Sequence, residues 1–410
     1  MTKTGILRKK MRDSFHNRKL QEAANLGSAL VNPPSHGPGY ANDLFNLALV
    51  YEELGRPDKA AALYMESARH LNINDDMALA MRTNNLAGVF ARTGAYAPAY
   101  HFYKQTSHIY GRRLGTNHPA YADSLYNLAN LAADTGRSEE ALSLHKEALI
   151  IREKSGTTED MMHSLHSIAI IYDDFMDHEK AASYAEAAFE LATDEDYARA
   201  GHYLADLYTL LDQYENVLAV YEKVLDKLAQ LGDKGSNYVT TLSRKAKITK
   251  RTGRKEEALS IYSEVLDAYQ LLESIDLVVT DPLFYANCMK DMAVICKELG
   301  HATRAEYHMM MSLKSRRANK GELTEDICFL LELHLQTEDT YHKAMDMLVY
   351  ALIYAEDPTG PGTDKVIDAL MDVLARAEDT GRLLSVIKDV NDAGTIKNIL
   401  DMWQNRNGYF

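Results

Sequence analysis

Residues 126–154 read YNLANLAADTGRSEEALSLHKEALIIREK and contain two helical patterns separated by one glycine. Apolar residues recur at spacings of three and four before Gly136, and the same spacing returns after it, from Ala141 to Leu149. A glycine accepts the positive φ that a helix end requires. The stretch therefore predicts a hairpin of two antiparallel helices, with Ser138 as the expected cap of the second helix.

This pattern returns about every 40 residues along the chain. In five copies a glycine follows an apolar-Ala pair (Lys-Ala at 245–246) by seven residues: Gly55, Gly94, Gly136, Gly253 and Gly300. Counting weaker copies without the glycine, the repeats start at 47, 86, 128, 168, 204, 245, 292 and 331. A fixed period longer than one helix is typical of stacked hairpins. We therefore predict an all-α fold, a right-handed superhelical solenoid of antiparallel helix pairs.

The ends of the chain depart from this period. We predict a basic segment and capping helix over 1–39, about eight helical hairpins over 40–355, and a helical cap over 356–410. The last boundary follows from the helix-breaking sequence EDPTGPG at 356–362. Terminal segments of a solenoid must cover the last apolar face, and this is the role expected of the C-terminal cap.

The segment LGTNHPAYADSLYNLANLAADTGRSEEALSLHKEALIIREK, from Leu114, resembles the tetratricopeptide repeat in the longer variant seen in kinesin light chain. It has the His-Pro before the first helix, the Asn-Leu-Ala core, the glycine turn and the closing Ala-Leu-x-Ile run. The resemblance implies a scaffold that binds a peptide or partner protein in its concave groove. In peptide-binding members, an asparagine just before the Leu-Ala pair holds the peptide backbone, and Asn46, Asn85 and Asn127 match that position.

Composition limits the classes of partner. The net charge of −14 argues against general binding of nucleic acid. Residues 1–19 carry a net charge of +6, which favours a solvated terminal helix. No apolar run is long enough for a membrane span. Three cysteines without metal-ligand spacing favour reduced thiols and a cytoplasmic protein.

Asparagines are expected to line the groove in the first three repeats. Asn130 lies three residues after Asn127 on the same predicted helix. Because an amide side chain both donates and accepts, a ladder of asparagines can hold an extended peptide without reading its side chains. The alternative is that asparagine occupies this position of the repeat whether or not a peptide binds.

The sixth repeat predicts a basic face. Arg244, Lys247 and Arg251 recur at spacings of three and four, and Lys290 of the next repeat is expected beside them. Such a face suits a partner with an acidic or carboxylate-bearing segment. The alternative is a solvated charge run.

A constellation in the fourth and fifth repeats suggests metal chemistry as an alternative. His163 and His166 are three residues apart, and His202 and Asp206 are four apart on the next equivalent helix. Three imidazoles and a carboxylate could hold zinc or iron. No recognised metal motif is present, and polar groove lining is the competing interpretation.

The sequence as a whole therefore predicts a cytoplasmic adaptor or regulator that binds a protein or peptide and needs no cofactor. No phosphate loop or nucleophile elbow is present, so catalysis is not expected. Two alternatives stay open: a peptide-sensing regulator, and a metal-dependent enzyme or metal binder that uses the histidine constellation.

Overall fold

The computed structural model describes residues 3–32, 38–70, 76–274, 283–319, 325, 326, 329, 330 and 333. Within them every regular element is an α-helix, sixteen in number, which confirms the all-α prediction. The predicted C-terminal cap at 356–410 and nearly all of the predicted eighth hairpin lie outside the described residues.

The chain divides into two compact units, Met1–Asp212 and Gln213–Phe410. The helices of the first unit are α1 Lys3–His16, α2 Leu20–Val31, α3 Pro38–Glu53, α4 Pro57–Arg69, α5 Asp76–Arg92, α6 Tyr96–Leu114, α7 Pro119–Asp134, α8 Ser138–Ser155, α9 Thr158–Asp174, α10 His178–Glu190 and α11 Tyr197–Leu210. Those described in the second unit are α12 Tyr214–Gln230, α13 Ser236–Arg251, α14 Lys255–Ser274, α15 Phe284–Glu298 and α16 Ala302–Ala318.

In five of the predicted hairpins the turn contains the predicted glycine with a positive φ. After α7, Gly136 adopts a φ of 73°, and the amide of Arg137 donates to the carbonyl of Ala132 at 2.8 Å. This left-handed turn satisfies backbone carbonyls that have no partner at the helix end.

The predicted N-cap of the next helix was wrong by one residue, since Arg137 is the N-cap and Ser138 is the first helical residue. Arg137 makes no side-chain cap bond, and the acidic residues Glu139 and Glu140 lie in the first turn, where they favour the helix dipole.

The apolar-Ala pairs form the core, as their spacing predicts. In the third repeat Leu128 and Ala129 are 4% and 0% exposed, and the second helix contributes Ala141 and Ala148, both fully buried. Alanine has no side chain beyond Cβ, so the two helices of a hairpin can approach closely. Each hairpin also packs on its neighbour: Leu128 and Leu131 join a cluster with Ala87, Ala99 and Tyr103 of the second repeat.

The N-terminal helix is part of the folded unit rather than a solvated extension. Met11 is 2% exposed and packs in one cluster with Ala23 and Ala24 of α2 and Val50 of α3. Helices α1 and α2 therefore form a further hairpin ahead of the first predicted repeat. Among the described helices, none combines the length and apolar character that crossing a membrane requires.

Candidate partner-binding site

Within each unit, first helices of successive hairpins touch one another, and we call the surface that they form in that unit its first-helix face. In the first unit, Arg82 of α5 donates to Asn42 of α3 at 2.7 Å, and Ser167 of α9 approaches the Tyr126 hydroxyl of α7 at 3.4 Å. In the second unit, Lys250 of α13 pairs with Asp291 of α15 at 3.0 Å. These contacts place equivalent positions of neighbouring repeats side by side.

The predicted asparagine ladder is half-buried along this face. Asn46, Asn85, Asn127 and Asn130 are all partly exposed. The structure uses two of them internally: the Asn127 amide donates to the Asn84 side chain at 3.1 Å, and Asn85 hydrogen-bonds the Tyr64 hydroxyl. A partner backbone would therefore have to share or displace these bonds.

The predicted basic face becomes a cavity in the second unit, between α13 and α15. The cavity has a volume of about 570 Å³. Its lining contains four cations, two carboxylates and one amide: Lys247, Lys250, Arg251, Lys290, Asp291, Glu298 and Asn287. The volume falls in the range of about 300–1,000 Å³ typical of ligand sites. Three of the four predicted basic residues meet here, whereas half-buried Arg244 is not part of the lining.

The two carboxylates of the cavity are already bound. Asp291 accepts from Lys250 at 3.0 Å and from the Tyr262 hydroxyl at 2.8 Å, and burial together with this carboxylate raises the pKa of Tyr262. Glu298 pairs with Lys255 at 3.2 Å. With both acids occupied, the cavity keeps an excess of positive charge.

The cations differ in their availability. Lys290 pairs with the exposed Glu325, and the hydrogen bond from this ammonium lowers the pKa of Glu325. The Arg251 guanidinium lies over the Tyr214 ring, 4.8 Å from its centroid. Lys247 is exposed and has no ion-pair partner among the described residues. An acidic group of a partner can therefore pair with Lys247 without breaking an existing ion pair.

Four lining residues were not predicted from the sequence: Lys250, Asn287, Asp291 and Glu298. Lys250 lies in the same basic run as Lys247 and Arg251, three residues after Lys247. The sequence around Asn287 does not predict that its side chain lines a cavity. In the structure, Arg316 of α16 donates to the amide oxygen of Asn287 at 2.7 Å, so that the amide nitrogen of Asn287 remains available as a donor.

The predicted metal ligands do not form a metal site. Across the described residues, which include all four ligands, no group of three or more His, Cys, Asp or Glu side chains is placed to hold a metal ion. His166 instead packs edge-on against Tyr203, with ring centroids 5.1 Å apart, and His163 faces Glu159 of its own helix at 3.8 Å. His166 is partly buried, and this burial lowers the pKa of its imidazole. The structure does not bring His202 and Asp206 into a shared coordination group with the two histidines of α9.

Comparison with known proteins agrees with this architecture. Tetratricopeptide-repeat models match residues 44–69 and 76–154. The chain is 26% identical over 248 residues to Protein KINESIN LIGHT CHAIN-RELATED 3 of Arabidopsis thaliana, covering 58% of this chain and 37% of that protein. It is 22% identical over 227 residues to Protein KINESIN LIGHT CHAIN-RELATED 1 of the same plant, covering 53% and 37%. The chain thus spans little more than a third of the length of these relatives.

Solved structures with similar folds include BtubC (BKLC) from P. vanneervenii, with a TM-score of 0.44, 18% identity, and coverage of 55% of this chain and 92% of that one. The putative kinesin light chain TPR-like repeats from Podosopora anserina give a TM-score of 0.40 at 20% identity, with coverage of 47% and 94%. The chain carries tetratricopeptide repeats similar to those of kinesin light chain-related proteins. Tetratricopeptide repeats in general are protein-interaction modules.

Proposed function

We propose that this chain is an adaptor that binds a partner protein through acidic residues of the partner, which enter the cavity between α13 and α15 of the second unit. The observation that carries the proposal is the lining of that cavity. The lining has four cations against two carboxylates, of which Asp291 pairs with the lining residue Lys250 and Glu298 pairs with Lys255 outside the lining.

The charge distribution supports an acidic rather than a neutral segment. Desolvating several lysines and an arginine is costly unless an anion compensates them. A carboxylate placed near Lys247 and Arg251 would supply that compensation and would find a hydrogen-bond donor in Asn287. Because the protein as a whole carries a net charge of −14, the excess of cations in the cavity provides a local attraction for an acidic segment.

In the first unit, the asparagines favour binding of an extended stretch of a partner protein. They stand at equivalent positions of three successive first helices, so their amides recur at the spacing of the repeat. Amide groups can hydrogen-bond peptide backbone in either polarity. The asparagines would thus make sequence-independent contacts with the backbone of a partner.

The proposal is tested by one charge reversal in the cavity and a matched reversal outside it. A fluorescein-labelled peptide with five consecutive glutamates is titrated with the full chain, and binding is followed by fluorescence anisotropy at several salt concentrations. Lys247→Glu should weaken binding at least tenfold and flatten its salt dependence, since the reversed charge repels the peptide directly. Lys223→Glu, an equally exposed lysine on the second helix α12, should change binding less than twofold.

Equal losses in both variants would show that net charge alone attracts the peptide, and the cavity would then have no special role. Failure of the unmodified chain to bind the acidic peptide would also overturn the proposal.

A further inference from the structure

Two turns of the first unit lack the usual glycine. In five described repeats the turn residue is glycine with φ between 67° and 82°. At the equivalent point the fourth repeat has Met176 with φ 60°, and the fifth has Asp212 with φ 56°. A residue with a Cβ is disfavoured in this left-handed region. Asp tolerates it better than Met does, so Met176 is the least expected residue of the series.

Packing within the chain does not compensate for this conformation. Met176 is 74% exposed, more than any other large apolar residue that the structure describes. Phe175 beside it is 40% exposed, and Leu210 at the end of α11 is 60% exposed. Exposed apolar residues grouped in one place, rather than scattered singly, mark interaction surfaces.

The three residues lie at or just after the C-terminal ends of two helices. Phe175 and Met176 directly follow α9, and Leu210 is the last residue of α11. These two first helices are neighbours, as the contact between His166 and Tyr203 shows, and they run in the same direction in successive repeats. Their C-terminal ends therefore share an edge, which we call the turn edge (Phe175, Met176 and Leu210).

Acidic residues surround the turn edge. Asp174 and Glu179 are exposed and have no ion-pair partner in the described part of the chain. Asp173 and Asp177 are engaged with His178 at 2.9 Å and Lys180 at 2.6 Å. Over residues 159–215 the sequence has 14 acidic residues against two lysines or arginines. A partner that covers the turn edge must therefore tolerate negative charge.

We propose that the turn edge is a docking surface for a partner protein segment that places aliphatic or aromatic side chains on Phe175, Met176 and Leu210 and flanks them with lysine or arginine. Apolar burial supplies the affinity, and the acidic surroundings select the basic flank. A second copy of the same edge does not fit, because its acidic surroundings would face each other. This surface lies in the first unit and is separate from the cavity of the second.

The unfavourable backbone at Met176 provides a specific test. Met176→Gly should raise the thermal unfolding midpoint, because glycine accepts the left-handed conformation without a Cβ penalty. The same substitution should weaken docking, because the most exposed apolar side chain is lost. If Met176 had only a structural role, replacing it by glycine would not both raise the unfolding midpoint and weaken peptide binding.

Docking is measured with a fluorescein-labelled peptide that carries two leucines flanked by lysines, added to the full chain. Met176→Gly should weaken binding at least fivefold, whereas Met176→Leu should retain it. Ile150→Ala, which removes a 54% exposed apolar residue from α8, should change binding less than twofold. Lys247→Glu should likewise leave it unchanged, which separates this surface from the cavity of the proposed function.

Three outcomes would overturn the proposal. The first is equal binding of a peptide with serines in place of the leucines, which would show charge attraction alone. The second is no binding of the leucine peptide by the unmodified chain. The third is a lower unfolding midpoint for Met176→Gly, which would make the methionine a packing residue.

Discussion

One buried position of the repeat, seventeen residues after the start of the pattern, is occupied by different side chains in different copies. Four repeats have a buried tyrosine there: Tyr64, Tyr103, Tyr221 and Tyr262. Two of these hydroxyls donate to carboxylates, at 2.7 Å to Glu52 and at 2.8 Å to Asp291. The third repeat has His145 there, 1% exposed, with an Nδ1 that has no hydrogen-bond partner in the structure.

His145 should make the third repeat sensitive to acid. Burial, with a smaller effect of the Arg152 charge, lowers the pKa of His145 from 6.5 to about 4. The unfolded chain then binds a proton between these values while the folded chain does not. The stability contribution is therefore present above pH 6.5 and is lost as the pH falls towards 4.

Replacing His145 by the tyrosine of the other repeats should reduce this acid sensitivity. We expect the fall in unfolding midpoint between pH 7.5 and pH 4.5 to be smaller in His145→Tyr than in the unmodified chain, as measured by circular dichroism. Carboxylates elsewhere contribute equally to both proteins, so the difference reports on this residue. An identical fall in the two proteins would contradict the prediction.

At the scale of an element, the N-terminal helix shows how a charged segment becomes part of the fold. The Arg8 guanidinium of α1 binds both carboxylate oxygens of Asp43, each at 2.7 Å, and the Asp43 side chain is only 4% exposed. Met11 and Ser14 on the same side of α1 are buried. The helix therefore docks through one ion pair and a narrow apolar stripe.

Removing this ion pair should loosen α1 selectively. Arg8→Ala leaves a buried carboxylate without its cation, which costs about 1–3 kcal/mol. We expect faster hydrogen exchange of α1 amides, measured by mass spectrometry, and little change in α7. Lys9→Ala is the control, since Lys9 is exposed and unpaired in the described part of the chain. Equal exchange of α1 in both variants would show that apolar contacts alone hold the helix.

At the scale of the whole molecule, contacts stay local to neighbouring hairpins, and the chain divides into two compact units. Each unit has its own buried clusters: Leu131 belongs to one in the first unit, and Ile295 to one in the second. Stability in such arrays is roughly a sum over repeats and their neighbours. Damage in one unit should therefore remain largely within it.

Cavity-creating substitutions should reveal this division. Leu131→Ala and Ile295→Ala remove side chains that are 2% and 0% exposed, and each should cost about 2–5 kcal/mol. Hydrogen exchange should accelerate in the first unit for Leu131→Ala and in the second for Ile295→Ala. Acceleration throughout the chain in both variants would show one cooperative unit instead.

Much of the fold and part of the site followed from the sequence alone. Helix pairs, their turns and the buried apolar-Ala positions were predictable, because helical periodicity and glycine turns act within one hairpin. Spacing along α13 likewise placed Lys247 and Arg251 on one face. The cavity lysine Lys250 lay in the same run, so it was within reach of this reasoning.

The tertiary structure alone decided which side chains of different repeats meet. Asn127 bonds Asn84, His166 packs on Tyr203 and Lys250 pairs with Asp291, and none of these choices follows from spacing along one helix. Contacts between helices depend on the offset between neighbouring hairpins and on competition among nearby partners. That is why local periodicity determined the helices of this protein, whereas packing between repeats separated the metal ligands and assembled the basic cavity.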